Sequence, residues 1–395
     1  MKICEVHSSH FSLYSHYHTL IVDDLTFGFY LFGIFVDKIW KFSVKKEKDE
    51  KALYNEYLPK IPQINGKVVA ITGTTSGMGT HLAEIAINKG ASIVLLLNRE
   101  SSRAKTSEES LRSYGKSINA TTKIQTVPCD MQNLNSVRTA AVVVNTISKQ
   151  NGGLDVLICN AGIMAMNDER TGNGFDVQMQ TNQLSHFLLC RLVFKSFKLA
   201  EQSRGEARLV MHTSSARDFP GGMLEKKYFE QCKAGTLGGD TTNTVLQLMG
   251  YPGTWQRYHQ SKLANSCFAM QLSKLLSQKE KKLNIKALAA DPGYARTSLA
   301  TSSNKCTSGF AGYMERKGQS AEDGCLPAAM AAFSDDAESG DMYVPANYSK
   351  GKPIKSIIKG VSVKNGGEKL TCSEENMDLV WEACQSALNV DFVLD

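Results

Sequence analysis

Cysteine pairs and metal-binding clusters are what this sequence most plainly lacks. Ten cysteines are scattered from Cys4 to Cys384, and no two of them form a Cys-x-x-Cys pair. A disulfide framework and a cysteine-based zinc site are therefore excluded, and reduced thiols facing the cytosol are expected. Four histidines fall within the first eighteen residues, but no cysteine or carboxylate pattern accompanies them, so no metal site is predicted.

Dense basic runs and long apolar runs are also missing. The formal net charge is +6, and no lysine- and arginine-rich run with interleaved aromatics occurs, which argues against nucleic acid as a partner. An uncharged, aromatic-rich run covers residues 25–36, but a membrane-spanning helix needs about 20 apolar residues. Lysines follow this run instead of preceding it, unlike the arrangement in a secretory signal.

Two interpretations of this run stay open within an N-terminal extension over residues 1–60. In the first, residues 25–48 make peripheral membrane contact, with aromatics at the interface and lysines against anionic headgroups. The protein would then lie on the cytoplasmic side of an intracellular membrane. In the second, the run is a helix packed on the domain or across an oligomer interface.

One stretch organises the rest of the chain. Residues 68–72 form a short, mostly β-branched apolar run, and Gly73, Gly77 and Gly79 follow before a helical pattern begins. Such a strand, turn and helix bind a dinucleotide, because glycines let the backbone approach a pyrophosphate over free N–H groups at the helix N-terminus. The stretch has no Gly-Lys-Ser/Thr ending, so ATP or GTP binding is not predicted.

Strand-like runs and helical patterns alternate from Lys67 onward, which is typical of a parallel sheet covered on both faces. The sequence therefore predicts an α/β fold with one doubly wound, seven-stranded Rossmann-type sheet over residues 61–345. A tail with a last helix, beginning at Ser373 and ending at Leu388, is predicted within residues 346–395. Strands after the first are predicted at Ile93–Leu97, Lys123–Val127, Leu154–Cys159, Leu209–Thr213, Ile285–Ala290 and Met342–Val344, and helices at, among others, Ser136–Lys149, Val177–Phe194 and Lys262–Leu276.

The ends of the second and third strands predict which dinucleotide binds. A carboxylate at the end of the second strand would hold the ribose of NAD, whereas an arginine accommodates the phosphate of NADP. Here Asn98 takes the carboxylate position and Arg99 follows, which favours NADP(H) over NAD(H) unless Arg99 is simply a solvated surface residue. Asp130, which precedes Met131 at the end of the third strand, is expected to accept from the adenine amino group, to cap the next helix, or to do both.

The reactive groups are expected at the same edge of the sheet. Tyr258 and Lys262 are four residues apart and so share one helix face. A free tyrosine has a pKa of about 10, and a neighbouring ammonium lowers it toward the operating pH. Ser215, at the end of the fifth strand, would hydrogen-bond the substrate oxygen while a nicotinamide moves the hydride. A Tyr-x-x-x-Lys pattern alone also fits a surface helix face, but here it accompanies a glycine turn and the Asn-Ala-Gly segment at Asn160.

In this combination of motifs the sequence resembles the short-chain dehydrogenase/reductase family over roughly residues 67–345. The residues of these motifs are most similar to those of the retinol dehydrogenase and protochlorophyllide reductase-like branch. Many members of that branch are NADP-dependent and membrane-associated. The resemblance implies that Ser215, Tyr258 and Lys262 are catalytic, that Lys262 also holds the ribose, and that Asn182 holds a water in the proton relay. It also makes a homodimer or homotetramer an expectation. Cofactor contacts are predicted for Thr72, Gly73, Ser76, Gly77, Met78, Gly79, Arg99, Asp130, Met131, Asn160, Ala161, Gly162, Tyr258, Lys262, Pro292, Gly293 and Thr297.

Two departures from the family pattern stand out. Cys159 replaces a second asparagine before Asn160, which should leave the turn intact. More consequentially, an insertion at about residues 219–256 separates Ser215 from Tyr258 and borders the substrate pocket. It would serve as a lid or as a partner surface.

The sequence therefore predicts an NADP(H)-dependent oxidoreductase that interconverts a carbonyl and an alcohol on a small, lipophilic substrate. One alternative is light-dependent reduction of a tetrapyrrole double bond on the same fold, which pigment binding would reveal. Another is a non-catalytic nucleotide-binding scaffold at a membrane, which would bind the nucleotide and turn over no carbonyl.

Overall fold

The computed structural model describes residues 51–218, 222–237, 253–280, 282–297, 318–363 and 368–394. The run at 25–36 and the proposed membrane contact over 25–48 lie outside these residues, as do parts of the 219–256 insertion. Within the described ranges, every helix is too short or too polar to cross a bilayer.

A single sheet forms the centre of the described part of the chain. Its strands are β1 (Val68–Thr72), β2 (Ile93–Asn98), β3 (Lys123–Pro128), β4 (Val156–Cys159), β5 (Ala207–His212), β6 (Ile285–Ala290), β7 (Met342–Pro345), β8 (Pro353–Ile358) and β9 (Val361–Ser362). They lie in the order β3-β2-β1-β4-β5-β6-β7-β8-β9, and β1 to β7 are parallel. Strands β1, β2, β4 and β5 are buried along their whole length, as expected for parallel strands covered on both faces. The seven predicted parallel strands are confirmed.

Helices cover both faces of this sheet, so the predicted doubly wound fold is also confirmed. They are α1 (Ala52–Tyr57), α2 (Met78–Asn88), α3 (Ser102–Ser117), α4 (Leu134–Gln150), α5 (Val177–Met179), α6 (Ser185–Arg204), α7 (Gly253–Ser277), α8 (Ala321–Phe333) and α9 (Glu374–Leu388). One apolar core lies between the sheet and α2, α3 and α8, and a larger one lies between the sheet and α4, α6, α7 and α9. Alternate residues of β1 enter the two cores, with Val69 and Ile71 in the smaller and Val68 and Ala70 in the larger.

Two antiparallel strands extend the sheet beyond the predicted seventh. β8 pairs with β7, and β9 pairs with β8. Both fall in the lysine- and glycine-rich segment after Pro345, where the sequence analysis predicted no strand, because their apolar residues are few and interrupted. The predicted last helix is confirmed as α9, and the Ser373 side chain accepts from the Asn376 N–H as its N-cap.

The predicted helix Val177–Phe194 contains an interruption. A π-helical segment, Gln180–Leu184, joins α5 to α6. Such a segment inserts one extra residue into a helix and occurs frequently at functional sites. Here the segment carries Asn182.

Hydrogen bonds attach both the N-terminal extension and the insertion to the helices of the Rossmann domain. In the N-terminal extension, the Tyr54 N–H donates to Asp323 Oδ1 at 2.8 Å, at the start of α8. In the described part of the insertion, the Glu225 N–H donates to Gln260 Oε1 at 2.9 Å, and Gln260 Nε2 donates to the Met223 carbonyl at 2.9 Å. Helix α7 therefore holds the beginning of the insertion.

Candidate active site

A cavity of about 580 Å³ opens where the parallel strands end. Open α/β sheets bind their ligands at this edge. Nearly all of the residues that the sequence analysis selected line the cavity. They are Gly73, Ser76, Gly77, Met78, Gly79, Arg99, Asp130, Met131, Asn160, Ala161, Gly162, Ser215, Tyr258, Lys262, Pro292, Gly293 and Thr297. Thr72 and Asn182 are buried behind its wall.

The turn between β1 and α2 has the geometry that glycines allow. Gly73 and Gly77 have φ angles of +72° and +61°, which residues with a Cβ rarely adopt. A Cβ on Gly73 would lie 2.8 Å from the Ala161 Cα, and one on Gly79 would lie 2.1 Å from the Gly73 carbonyl oxygen. Asn160 Nδ2 donates to the carbonyls of Thr72 and Gly73 at 2.9 and 3.0 Å. The turn is thus clamped from the end of β4 and leaves the N-terminus of α2 beside the cavity.

The end of β2 places a cation at the cavity, and its last residue is an asparagine instead of a carboxylate. Asn98 is buried and belongs to the turn, because its Oδ1 accepts from the Thr74 N–H and its Nδ2 donates to Thr74 Oγ1, both at 2.8 Å. Arg99 is exposed at the cavity edge. Arg103, in the first turn of α3, also lines the cavity and donates to Ser76 Oγ at 3.3 Å. The sequence analysis missed Arg103, whose only signal was its spacing of four residues from Arg99.

Asp130 lies at the cavity without capping the next helix. The N-cap of α4 is Asn133, whose side chain accepts from the N–H groups of Asn135 and Ser136. The capping alternative for Asp130 is therefore wrong. One carboxylate oxygen of Asp130 accepts from the Gln132 N–H at 2.9 Å, which fixes the turn at the strand end.

Asn182 holds the segment after β4 in place. Its Oδ1 accepts from the Ile163 N–H at 2.9 Å and its Nδ2 donates to the Ile163 carbonyl at 3.0 Å. Its own carbonyl accepts from Asn265 Nδ2 at 2.7 Å and interacts with His186 Nδ1 at 2.8 Å. A carbonyl oxygen has two lone pairs, so protein donors already use both. The water-holding role of Asn182 stays a prediction, and a relay water would have to displace one of these donors.

Two buried histidines, His186 and His212, hydrogen-bond Asn182 and Asn160 respectively. The Asn182 carbonyl can only accept, so His186 Nδ1 carries the proton and its Nε2 accepts from Thr72 Oγ1 at 2.9 Å. The Asn160 amide donates through Nδ2, so its Oδ1 accepts from His212 Nδ1 at 3.0 Å. Burial lowers the pKa of His186 to about 4 and that of His212 to about 3, so both rings are neutral at physiological pH.

Tyr258 and Lys262 lie together on α7, as predicted from their spacing. Lys262 Nζ is 6.0 Å from the centre of the Tyr258 ring and donates to the His212 carbonyl at 3.0 Å. Burial lowers the pKa of Lys262 to about 8. The expectation that Lys262 lowers the pKa of Tyr258 is not met in this structure, because burial dominates and raises the pKa of Tyr258 above its ordinary value.

The serine that meets Tyr258 is Ser214. Its side chain lies close enough to the Tyr258 phenol to oppose part of the rise in the tyrosine pKa. Ser215, chosen from the sequence, also lines the cavity but begins the 3₁₀ turn Ser215–Asp218. Both hydroxyls lie at the cavity, so the catalytic role predicted for Ser215 stays a prediction.

The segment after β6 closes the cavity from the other side. Gly293 has a φ of +62°, and its N–H donates to Asp291 Oδ1 at 2.8 Å. A Cβ on Gly293 would lie 2.6 Å from the Ser349 carbonyl oxygen. Thr297 lies beside Gly77, since a Cβ there would meet the Thr297 methyl at 3.3 Å. The Pro-Gly segment and the glycine turn therefore line one cavity from opposite sides.

The far end of the cavity is apolar. Met164, Ala165, Ala216 and Tyr258 form a small buried cluster, with Trp255 packed against it. The rings of Trp255 and Tyr258 meet edge to face with centroids 5.8 Å apart. An apolar wall beside a phenol, a hydroxyl and an ammonium suits an apolar molecule that carries one oxygen function.

Comparisons with known proteins agree with this arrangement. The family model for short chain dehydrogenases matches residues 67–225. An uncharacterized oxidoreductase of Schizosaccharomyces pombe is 32% identical, over 60% of this chain and 63% of that protein. Retinol dehydrogenase 13 of Mus musculus is 27% identical over 65% of this chain and 66% of its own length, and polyprenol dehydrogenase of Danio rerio is 27% identical over 61% and 66%. The chain thus spans just under two thirds of the length of these curated relatives.

A solved structure supports the fold independently. The crystal structure of an uncharacterized protein from Mycobacterium paratuberculosis superimposes with a TM-score of 0.59, over 85% of this chain and 98% of that one. The two chains are 24% identical in this comparison, so the likeness concerns the fold alone.

Proposed function

The chain belongs to the short-chain dehydrogenase/reductase family, as its motifs implied, and on that premise we propose that it interconverts a carbonyl and the corresponding alcohol with NADP(H). NAD(H) is the second choice of cofactor. The observation that carries the proposal is the meeting of the Tyr258 phenol, the Ser214 hydroxyl and the Lys262 ammonium in the cavity that the glycine turn lines. We also propose peripheral membrane contact through residues 25–48 and assembly as a homodimer or homotetramer. These two proposals rest on the sequence alone.

The glycine turn fits a dinucleotide. Backbone atoms approach so closely at Gly73 and Gly79 that a side chain would fill the cradle that a pyrophosphate needs. The N-cap of α2 is Gly77, whose lack of a side-chain cap leaves the first N–H groups of the helix for an anion. Arg99 and Arg103 at the cavity edge supply the positive charge that favours the extra phosphate of NADP(H).

The residues around the cavity divide the work of proton transfer. A bound nicotinamide ring supplies or takes up the hydride. Ser214 donates a hydrogen bond to the substrate oxygen, and Tyr258 donates its proton as that oxygen gains negative charge. Lys262 then stabilises the phenolate that remains on Tyr258. Burial raises the pKa of the Tyr258 phenol above its ordinary value, so the phenol is in the protonated form that carbonyl reduction requires.

A lipophilic substrate is the class that the cavity supports. The cavity wall beside Tyr258 includes Met164, Ala216 and Trp255. Burial of such surface favours ligands with a large apolar part and a single polar end. Two of the relatives are named for retinol and polyprenol, which are lipophilic alcohols, and their names support the same class.

Removal of the Tyr258 hydroxyl is the direct test of the proposed chemistry. Tyr258→Phe should lower the turnover of NADPH with a responsive carbonyl by at least about 100-fold, because general acid catalysis is lost. NADPH affinity, measured by fluorescence titration, should change little. A panel of retinoid, steroid, fatty and aromatic carbonyls identifies the responsive substrate, and undiminished turnover in the variant would rule out the mechanism.

Ser214 and Ser215 offer a matched pair of variants. Ser214→Ala should lower turnover by about 100-fold, as removal of one oxyanion donor typically does. Ser215→Ala makes the same change at the neighbouring position and should leave turnover within about threefold of the wild type, because it removes no such donor. Steady-state rates under identical conditions compare the two, and a larger loss in Ser215→Ala would return the role to Ser215.

Cofactor choice is tested at the end of β2. Arg99→Ala and Arg103→Ala should each weaken NADPH binding by about tenfold, the equivalent of one lost phosphate contact of about 1.4 kcal/mol. NADH binding should change far less, because NADH has no 2′-phosphate. Isothermal titration with both nucleotides measures the difference, and equal losses for the two would contradict the NADP(H) assignment.

A further inference from the structure

Arg217 is a fully buried cation three residues beyond Ser214. Its Nε donates to Glu368 Oε2 at 2.8 Å and its Nη2 donates to Glu368 Oε1 at 2.5 Å, a two-pronged contact. Its Nη1 donates to Asp291 Oδ2. We refer to Arg217, Glu368 and Asp291 as the arginine clamp. All three side chains are almost completely excluded from solvent.

Each member of the clamp comes from a different part of the chain. Arg217 follows β5 and its N–H donates to the Ser214 carbonyl at 3.0 Å, so it is tied to the serine end of the strand. Asp291 follows β6 and accepts from the Gly293 N–H, so it also shapes the Pro-Gly segment. Glu368 belongs to the C-terminal segment between β9 and α9. The clamp therefore joins two walls of the cavity to the tail.

The backbone at Glu368 shows what the contact requires. Its φ of +66° lies in the left-handed region, where a residue with a Cβ is strained. The next part of the tail is fixed to α7, since Thr371 Oγ1 shares a hydrogen bond of 3.0 Å with Ser266 Oγ and the Leu370 carbonyl accepts from Cys267 Sγ at 3.5 Å. Strained residues of this kind concentrate at functional sites.

Asp291 also acts on the reactive groups through its charge. It raises the pKa of both Tyr258 and Lys262. Arg217 is the cation that Asp291 contacts directly, so its position determines how much of this negative charge the two residues experience. The titratable groups around Tyr258, Lys262 and the clamp include His186 on α6 and His212 on β5 beside Lys262, Asp218 in the 3₁₀ turn, and Cys267 on α7, Tyr348 after β7 and Cys372 in the tail beside Arg217 or Glu368.

We propose that the C-terminal segment is a working part of the catalytic site, in which Glu368 fixes Arg217, and Arg217 positions the Ser214 strand end and balances the charge of Asp291. Arg217, Asp291 and Glu368 are thus positioning residues, because they act through Ser214, Tyr258 and Lys262. The inference rests on the proposed function for its kinetic part. Its electrostatic part can be tested even in protein that shows no turnover.

The electrostatic part is tested by the titration of Lys262 in NMR spectra of lysine-labelled protein. Lys262→Arg identifies the resonance, since the signal that titrates near pH 8 must vanish in that variant. Asp291→Asn should lower the pKa of Lys262 by about one unit, because it removes the anion that favours the charged amine. Glu368→Gln should shift it in the same direction by less, because Arg217 then screens Asp291 more fully. An unchanged Lys262 titration in Asp291→Asn would overturn the electrostatic part.

The kinetic part is tested in the same variants. Glu368→Gln should lower kcat by about tenfold or more with little change in the KM for NADPH, because small displacements of reacting groups are costly. Glu374→Gln is the matched control, with the same substitution in the same tail at an exposed ion pair to Lys274, and should leave kcat unchanged. Equal kcat values for the two glutamine variants would overturn the positioning role of Glu368.

A conservative change covers the case in which Glu368→Gln does not fold. Arg217→Lys keeps the cation but cannot form the two-pronged contact. It should lower kcat by about tenfold without moving the titration of Lys262. A wild-type kcat in Arg217→Lys would overturn the proposed positioning role of the arginine clamp. A wild-type protein that turns over no carbonyl would instead refute the proposed function, while the Lys262 titration would still decide the electrostatic part.

Discussion

The two buried imidazoles, His186 and His212, differ in whether the second ring nitrogen has a hydrogen-bond partner. His186 uses both of its ring nitrogens, one toward the Asn182 carbonyl and one toward the Thr72 hydroxyl. His212 donates through Nδ1 to Asn160, whereas its buried Nε2 has no hydrogen-bond partner among the residues that the structure describes. Both rings are held neutral by burial, and their pKa values of about 4 and about 3 lie below the ordinary value of 6.5.

Acid should destabilise the protein through these two rings. A group whose folded-state pKa is lowered takes up protons in the unfolded state first, so stability is complete above pH 6.5 and falls as the pH drops toward 4. Each histidine should contribute a slope of about 1.4 kcal/mol per pH unit in that window. Urea unfolding at pH 7, 6 and 5 measures the slope, and His212→Gln should remove the contribution of one histidine. An unaltered slope in this variant would show that His212 is not held neutral.

Sequence spacing predicts local pairs better than it predicts long-range partners. Tyr258 and Lys262 were recognisable because one helical turn separates them, whatever surrounds the helix. Spacing does not show whether Ser214 or Ser215 faces Tyr258, because the choice depends on where β5 ends and a strand places neighbouring side chains on opposite faces. No pattern joined Arg217 to Glu368, since their contact depends on how the tail folds back onto β5 and β6.

At the scale of elements, the turn between β1 and α2 is built by two segments at once. Its own glycines supply the backbone angles, and Asn160 from β4 fixes the Thr72 and Gly73 carbonyls. Short apolar runs made β1, β2, β4 and β5 predictable, because a buried parallel strand has no polar face to interrupt the run. β8 and β9 lie at the sheet edge, carry mixed residues and were therefore not recognisable in advance.

A methyl group in this turn should damage nucleotide binding. In Gly79→Ala the added Cβ would lie 2.1 Å from the Gly73 oxygen and 2.6 Å from Asn160 Nδ2, so the turn must shift. We expect NADPH affinity to fall by at least about tenfold, or about 1.4 kcal/mol. Gly172→Ala is the control, because a Cβ there meets nothing within 4 Å. Fluorescence titration of both variants measures the effect, and similar affinities would contradict the close approach seen at Gly79.

At the scale of the whole molecule, α9 and the residues that follow it belong to the larger core. Phe392 contacts the rings of Phe187, Phe194 and Trp381 with centroids 5.4, 5.5 and 5.1 Å apart. Trp381, on α9, also stacks on Phe268 of α7 at 6.1 Å. The helix that carries Tyr258 and Lys262 is therefore covered by the end of the chain.

Truncation of one ring in this aromatic cluster should weaken the whole fold. Phe392→Ala should lower the free energy of unfolding by about 3 kcal/mol, the usual loss for a buried phenylalanine. Its neighbour Val393 is 61% exposed, so Val393→Ala should change stability by less than about 0.5 kcal/mol. Chemical denaturation of the two variants gives the comparison, and equal losses would mean that the tail does not contribute to the core.

The order of synthesis gives the arginine clamp a further consequence. The ribosome synthesises Arg217 and Tyr258 well before Glu368, because Glu368 lies more than 100 residues further along the chain. Until then the guanidinium lacks the carboxylate that makes its burial tolerable, and an unpaired buried charge is strongly unfavourable. The nascent polypeptide can therefore form the turn between β1 and α2 during translation, whereas the arginine clamp reaches its final arrangement only after Glu368 has been synthesised.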